Sequence, residues 1–291
     1  MRLALTGKQG SNGQDSKVSR WTRLPGLCCQ AAGGEAEWAD DVTLAWLLFY
    51  AAADLMDSVQ DQDEPDEWWR DKGPGAALAA ASGLYFSGSF ALDQLNRKEE
   101  TARAAPGVIK DFYHTFLTMT SGQYQDLTAE AATLEDYWRQ AASKSGAFFQ
   151  LACLAGARLA SSDPAILGAY GDYGLHLGLL IQVRDDLDDI RQLHNVLPTG
   201  LKAKIMRSLP FVYTLEMNPD PTRERLIACL HSADQKQSAV DELVNLLDEC
   251  NAALYVMAEM EQQRQSALTG LEHASPLPPY KDALVALTSD L

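Results

Sequence analysis

Apolar residues recur along this chain with the three- and four-residue spacing of amphipathic helices. From Trp38 onward alanine and leucine are abundant, and the strict alternation that marks strands is scarce. Clusters of glycine and proline divide this region into segments long enough for one or two helices each. The pattern predicts helices at Ala39–Asp61, Ala76–Asn96, Gly107–Leu127, Leu134–Leu159, Pro164–Arg191, Lys202–Leu215, Pro221–His231, Gln235–Gln265 and Pro279–Thr288.

These segments are interpreted as one all-α domain over residues 21–291. No linker separates two regions of different composition, and no repeat of roughly 20 to 50 residues is visible. Residues 1–20 precede the domain and are predicted to be disordered, because Thr6–Ser19 is rich in glycine, serine and glutamine.

The charge of the chain restricts its partners. Forty acidic residues outnumber 24 basic ones, which gives a formal net charge of −16. Nucleic acids are therefore not expected as partners, since their phosphate backbones require basic surfaces. A phosphorylated ligand would have to be bound through cations.

The cysteines and the apolar runs indicate a cytoplasmic protein. Five cysteines follow no zinc-binding spacing, so they are interpreted as reduced thiols, with a catalytic cysteine as the minor alternative. No uncharged apolar run reaches the roughly 18 residues of a membrane span, so none is expected. Met1–Leu5 lacks the apolar core of a signal peptide.

The first acidic cluster ends the predicted helix Ala39–Asp61. Asp54, Asp57 and Asp61 share one helix face, with Asp57 and Asp61 about 6 Å apart along the axis. Like charges at this spacing destabilise a helix by roughly 0.2–0.5 kcal/mol, which a divalent cation would offset. The alternative is a solvated helix end that leads into an acidic loop.

The second acidic cluster ends the predicted helix Pro164–Arg191. Asp185 and Asp189 are again one turn apart, and Gln182 lies one turn before Asp185 or Asp186. The preceding turns are apolar all round, which indicates burial. The alternative is an acidic surface end balanced by two arginines.

Together the two clusters predict a metal-bound diphosphate. Mg²⁺ prefers carboxylate oxygens and commonly bridges them to substrate phosphates. Two facing aspartate pairs would hold a diphosphate through such ions.

The order of the motifs resembles the isoprenyl diphosphate synthase superfamily, which comprises the trans-prenyltransferases and their terpene-synthase relatives. The likeness extends from about Leu24 to Pro210. The matching motifs are Asp57–Asp61 for DDxxD with Ser58 in place of the second aspartate, Gly122–Leu127 for GQxxDL, Lys144–Gly146 for the lysine-threonine motif, Gln182–Asp189 for QxxDDxxD, and Ser208–Pro210 for a later TLP.

The resemblance implies a fold, a metal and a set of site residues. The fold is a single-domain helical bundle with a deep central cavity, and three Mg²⁺ ions and a homodimer are expected. Asp57, Asp61, Asp185 and Asp189 are implied as metal ligands, and together with Lys144 as the catalytic group. The implied substrate contacts are Lys144, Gln123, Asp126, Gln182, Asp186, Ala53, Phe49, Tyr50 and Lys202.

Two departures from the family pattern concern the second substrate of chain-elongating members, isopentenyl diphosphate. A Gly-Lys pair is missing from Ser19–Pro25, and an arginine pair is missing from Glu64–Gly73. Without a guanidinium fork, a second diphosphate has little to bind. The allylic site therefore looks intact and the second site degraded.

Three functions remain at this point. The main hypothesis is a terpene synthase that ionises one prenyl diphosphate and then cyclises or eliminates. The alternative is a prenyltransferase, either elongating with isopentenyl diphosphate or transferring to another acceptor such as an indole or a peptide. A non-enzymatic helical subunit is the third, but both aspartate motifs are retained.

The substrate is expected to have fifteen carbons or more. In the family, bulky residues four and five positions before the first aspartate shorten the cavity, and here those positions hold Ala53 and Ala52. Gly174 and Gly178 on the opposite helix are expected to add room. The alternative is that these small residues only permit close helix packing.

Overall fold

The described part of the chain is entirely helical. The structure, a computed structural model, describes residues 20–60, 69, 71–128, 133–192, 205–233, 236–289 and 291. Its α-helices are α1 (Leu24–Ala31), α2 (Asp40–Gln60), α3 (Pro74–Asp93), α4 (Glu99–Ala102), α5 (Ala105–Thr128), α6 (Leu134–Ala141), α7 (Ala147–Ala160), α8 (Pro164–Gln192), α9 (Leu209–Met217), α10 (Asp220–Ser232), α11 (Gln237–Glu249), α12 (Ala252–His273) and α13 (Tyr280–Ser289). The predicted all-α class is confirmed, and the predicted disorder of residues 1–20 falls almost wholly outside the described residues.

Local sequence explains where several helices begin. Proline occupies one of the first two helical positions of α1, α3, α9 and α10, where its missing N–H is not needed. Helix α6 begins with a capping box, in which the Thr133 hydroxyl accepts from the Asp136 N–H and the Asp136 side chain accepts from the Thr133 N–H.

The structure departs from the predicted helices at two places that matter below. The predicted helix Leu134–Leu159 is interrupted by a π-helical turn, Ala142–Gly146, between α6 and α7. The predicted helix Gln235–Gln265 is divided at Asn251, whose φ of 56° is left-handed, and α12 then continues to His273. Asparagine tolerates the left-handed region better than most residues, but an asparagine alone does not predict that a helix ends there.

Helix α8 is the centre of the bundle. It packs against α7 on one side and α12 on the other, while α2 packs against α3. A β-carbon at Gly178 would come 2.3 Å from the Ser145 carbonyl oxygen, and one at Gly174 would come 2.6 Å from that of Phe149. The expectation that these glycines widen the cavity is therefore wrong, because they allow α8 to contact the backbone of α7 and of the π-helical turn.

Two helical segments are long and apolar enough to cross a membrane by length and composition alone, Ala36–Gln60 and Pro74–Arg97. Core helices of soluble proteins satisfy the same criteria. The first of these segments carries Asp54 and Asp57 and packs against the second. The absence of a membrane span stays a prediction.

Candidate active site

The π-helical turn Ala142–Gly146 places a lysine against the first aspartate motif. Lys144 Nζ lies 3.8 Å from Asp57 Oδ1, and both side chains retain access to solvent, at 25% and 50% of their surfaces. A π-turn is a rare interruption of a helix that occurs frequently at functional sites. The ammonium and the carboxylate therefore face each other at an accessible place.

The next residue of the same turn reaches the second aspartate motif. The Ser145 hydroxyl donates to Gln182 Oε1 at 2.8 Å, and Gln182 Nε2 donates to Asp186 Oδ1 at 2.9 Å. Lys144 and Ser145 are neighbours in sequence, yet one contacts α2 and the other contacts α8. The turn thus joins the two motifs that the sequence predicted to face each other.

Asp186 is buried and engaged with protein groups. Its residue is 7% exposed, and its carboxylate accepts from the Tyr137 hydroxyl at 2.7 Å, the Leu209 N–H at 2.9 Å and Gln182 Nε2. Burial raises the pKa of Asp186 to about 6, against the lowering effect of the Leu209, Tyr137 and Gln182 hydrogen bonds. Its predicted role as a substrate contact does not agree with this burial.

The aspartates on either side of Asp186 differ from it in exposure. Asp185 is half-buried and Asp189 is exposed. Asp188 forms ion pairs with two arginines: Arg184 Nε donates to it at 2.9 Å, and Arg191 Nη1 lies 3.7 Å away. Asp185 and Asp189, which the resemblance implies as metal ligands, are thus both more accessible to a ligand than Asp186.

Aromatic side chains fill the space below Asp57 along α2. Tyr50 and Trp46 lie two and three turns before Asp57 on the same helix face and are both buried. The Phe148 ring lies 5.6 Å from Tyr50 and stacks on Trp46 at 4.5 Å, while Trp46 Nε1 donates to the Phe148 carbonyl. The space between α2 and α7 is therefore closed at this level.

The alanines before the first motif do not share one environment. Ala53 is half-buried, Ala52 is fully buried in a cluster with Leu55 and Trp69, and Ala51 is exposed. Only Ala53 lies close to the face of Asp57. Phe49, a predicted substrate contact, stacks on Phe116 at 4.3 Å within an aromatic group that includes Phe112 and Tyr85.

The remaining predicted residues are placed only in part. Gln123 Nε2 donates to Gln60 Oε1 at 3.0 Å, which brings the GQxxDL motif to the end of α2. Asp61, Lys202 and the side chain of Asp126 lie outside the described residues.

Sequence reasoning missed two partners of the second motif. Tyr137 was read only as part of a helix, although it precedes Lys144 by seven residues, about two turns. Leu209 contributes a backbone N–H, which no side-chain pattern reveals. A tyrosine two turns before the lysine was the only available signal.

The donor set fits a metal held jointly with a ligand. Within the described residues, no group of three or more carboxylate, imidazole or thiol side chains could hold an ion by itself. Mg²⁺ is usually bound by one or two carboxylates together with substrate phosphates. Asp57 on one helix and Asp185 and Asp189 on another supply such oxygens, and Lys144 lies beside Asp57.

Comparisons with known proteins agree with this arrangement. The polyprenyl synthetase family profile matches residues 26–247. A short chain isoprenyl diphosphate synthase of Methanothermobacter thermautotrophicus is 29% identical over 80% of this chain and 73% of its own length. The tryptophan prenyltransferase ComQ of Bacillus subtilis is 22% identical over 77% of this chain and 72% of its own.

The fold has solved counterparts. The polyprenyl synthase of Caulobacter crescentus CB15, crystallised with calcium and isoprenyl diphosphate, superposes with a TM-score of 0.79 at 18% identity, over 92% of this chain and 83% of the other. The matched relatives support the transferase alternative and give no support to cyclisation. The chain belongs to the polyprenyl synthetase family and is a prenyltransferase.

Proposed function

We propose that this protein is a divalent-metal-dependent prenyltransferase that takes an allylic prenyl diphosphate and passes the prenyl group to an acceptor other than a second diphosphate. The observation that carries the first part is the π-helical turn, whose Lys144 faces Asp57 while Ser145 bonds to Gln182. The turn thereby contacts both helices that carry the aspartates, and it places the Lys144 ammonium beside one of them.

The residues divide the work of breaking the C–O bond. Asp57, Asp185 and Asp189 would hold the metal, with Asp61 as the fourth predicted ligand. Bound Mg²⁺ would neutralise the diphosphate and improve it as a leaving group. Lys144 adds a fixed positive charge where negative charge develops on the departing oxygen. The bonding electron pair leaves with the diphosphate.

The apolar side chains on the inner side of Asp57 protect the prenyl cation that remains after the diphosphate leaves. Tyr50 and Phe148 form a wall that excludes water, and aromatic faces stabilise a nearby cation. An electron pair of the acceptor then forms the new bond, and the acceptor loses a proton. None of the aspartates needs to act as a general base in this scheme.

The beginning of the described chain argues against a second diphosphate as the acceptor. In Ser19–Pro25, which corresponds to the stretch that binds isopentenyl diphosphate in elongating relatives, Trp21 is 2% exposed and Leu24 is 0% exposed. The Trp21 ring packs edge-to-face on Phe149 at 5.6 Å. A buried indole and a buried leucine have no charged group that could bind a diphosphate. Arg23, between them, is exposed.

Chain elongation is the second candidate. The name of the Methanothermobacter relative favours it, while the name of ComQ favours transfer to tryptophan. An arginine pair after the first motif would favour chain elongation. Glu64–Gly73 contains no such pair, which favours transfer to another acceptor.

The test is a product assay with three arms. The enzyme is incubated with Mg²⁺ and allylic diphosphates of ten to twenty-five carbons, alone, with labelled isopentenyl diphosphate, or with indole and a tryptophan-containing peptide. Prenylated indole or peptide is the expected product by mass spectrometry. Efficient incorporation of isopentenyl diphosphate would establish elongation instead. A hydrocarbon from the allylic diphosphate alone would restore cyclisation, and no consumption of any diphosphate would refute all three.

The proposed assembly is a homodimer through the outer faces of α3 and α5. These two helices pack against each other, and each carries a row of exposed large apolar side chains. The exposed residues are Leu78, Phe86 and Phe90 on α3 and Tyr113, Leu117 and Tyr124 on α5. Exposed large apolar side chains on two neighbouring helices favour an interface, since monomers rarely expose large apolar patches.

A further inference from the structure

Three elements meet at the carboxylate of Asp186, and a fourth is connected to it through Gln182. Tyr137 comes from α6, Leu209 from the first position of α9, and Gln182 from the preceding turn of α8, which in turn bonds to Ser145 of the π-helical turn. Neither the family resemblance nor any relative assigns a role to Tyr137.

The position of Asp186 also explains how a buried charge is tolerated. Helix α9 has no side-chain cap of its own, and the Asp186 carboxylate accepts the N–H of its first residue. The free N–H groups and the positive end of the dipole at a helix N-terminus stabilise a carboxylate. The remaining oxygen surface is taken by the Tyr137 hydroxyl and the Gln182 amide.

We infer that Tyr137 and Asp186 are positioning residues, which fix Lys144 and the pair Asp185 and Asp189 relative to one another for a metal-bound diphosphate. The inference rests on the proposed function, because it names those three as the groups that touch the ligand. Asp186 itself does not touch the ligand.

The connectivity supports this role. Asp186 is adjacent to Asp185 and three residues before Asp189, so the orientation of its side chain fixes the turn that carries both. At the other end of the network, Ser145 is adjacent to Lys144. Without the Tyr137 hydroxyl, Asp186 loses its shortest hydrogen bond and is held only by the Leu209 N–H and the Gln182 amide, so its carboxylate is less firmly oriented.

The experiment compares Tyr137→Phe with Tyr173→Phe. Tyr173 is an equally buried tyrosine whose hydroxyl donates to the Leu284 carbonyl at 2.9 Å, away from the aspartate motifs. Both substitutions delete one buried hydroxyl and keep the ring, so a general loss of packing affects both alike.

The first readout is calorimetric binding of inorganic diphosphate in the presence of Mg²⁺, which needs no turnover. Partners that orient metal ligands typically contribute 10- to 100-fold to metal affinity. We expect Tyr137→Phe to weaken binding by about tenfold or more, and Tyr173→Phe to change it by less than about twofold. The concentration of Mg²⁺ that gives half-maximal turnover should shift in the same direction for Tyr137→Phe only.

Asp186→Asn and Asp185→Asn provide the second comparison. Asparagine can still accept from Tyr137 and Leu209 through its one carbonyl oxygen and loses only the hydrogen bond from Gln182, so Asp186→Asn should retain part of the Mg²⁺-dependent binding that Asp185→Asn abolishes. Equal loss in these two variants would make Asp186 a metal ligand and overturn the inference, as would equal behaviour of the two tyrosine variants. Wild-type binding of Mg²⁺ and diphosphate without prenyl transfer would instead refute only the proposed function.

Discussion

At the scale of single residues, two lysines within the described residues each lie beside an aspartate. Lys144 Nζ is 3.8 Å from Asp57 in the candidate site, and Lys98 Nζ is 2.5 Å from Asp41 at the start of α2. We expect Lys144→Gln to lower kcat about 100- to 1000-fold, the usual effect of removing one group that stabilises transition-state charge. Steady-state kinetics and thermal unfolding check this.

The matched control for Lys144→Gln is Lys98→Gln. It removes an ion pair of the same kind and should leave kcat within about twofold, because partly exposed pairs contribute little. A similar fall in kcat for both variants would mean that charge balance across the protein, and not Lys144 itself, limits the reaction.

Ala53 is the residue at which substrate length can be tested. It lies on the same face as Asp57 and is half-buried, whereas Ala51 is exposed on another face of α2. Ala53→Phe should reduce kcat/KM for a twenty-carbon substrate at least about tenfold more than for a ten-carbon one, since each lost isoprene contact removes apolar burial. Competition assays with both substrates measure the ratio.

Ala51→Phe serves as the control and should leave that ratio unchanged. Equal losses on both substrates in Ala53→Phe would mean that the position is needed for packing only. The expectation of fifteen carbons or more stays a prediction, and the closure of the space by Tyr50, Trp46 and Phe148 limits where a longer chain can run.

At the scale of elements, two of the glycines in α8, Gly178 and Gly168, have opposite surroundings. A β-carbon at Gly178 would lie 2.3 Å from the Ser145 carbonyl oxygen, whereas one at Gly168 meets nothing within 4 Å. Gly178→Ala should destabilise the protein by about 1–3 kcal/mol, because the π-helical turn must move. Gly168→Ala should stabilise it by about 0.5–1 kcal/mol through helix propensity.

Chemical denaturation of the two glycine variants gives these differences directly. Gly178→Ala should also lose binding of Mg²⁺ and diphosphate, since Ser145 and Lys144 lie on the turn that moves. Full stability in Gly178→Ala would show that α8 can separate from the turn without cost, contrary to the close packing described above.

Most of the helices were predictable, but α1, α4 and the interruptions were not among the elements predicted from apolar spacing. The start of α8 at Pro164 and the extent of α2 follow from breakers and apolar spacing. The π-helical turn was missed because Ala142–Gly146 retains the composition of a helix, and the break at Asn251 was missed because apolar spacing continues across it. Both depend on packing against other helices, which a single sequence does not record.

The site was predictable to the extent that it consists of motifs. The approach of Lys144 to Asp57 and of Ser145 to the second motif follows from family motifs in the expected order. The sequence could not separate Asp186 from Asp185, because spacing treats the two alike, whereas Tyr137 and Leu209 engage only Asp186 in the fold. Partners from remote elements decide such differences.

At the scale of the whole molecule, the outer face of α3 and α5 predicts self-association. Phe86 and Phe90 are 76% and 64% exposed. Burying such a face between two copies would provide the roughly 800 Å² per partner of a stable interface. Sedimentation equilibrium should give a dimer for the wild type, and Phe86→Glu should increase its dissociation constant at least about 100-fold, because a charge would then be buried.

The control for the dimer is Leu254→Glu. Leu254 is 66% exposed on α12, away from α3 and α5, so the substitution should leave the dimer intact. A monomeric wild type would show that this face has another use, and dissociation by both variants would show that the charge added, and not the place, is responsible.

The π-helical turn makes the site depend on the length of one segment more than on its composition. An α-helix turns by about 100° per residue, so one residue more or fewer between α6 and α7 rotates everything on one side relative to the other. Deleting a residue from Ala142–Gly146 would let the two helices fuse into one regular rod, with better backbone geometry than the natural chain. That straightened protein would point Lys144 and Ser145 away from their present partners, so the irregular backbone, together with the hydrogen bonds of Asp186, keeps the two halves of the site in register.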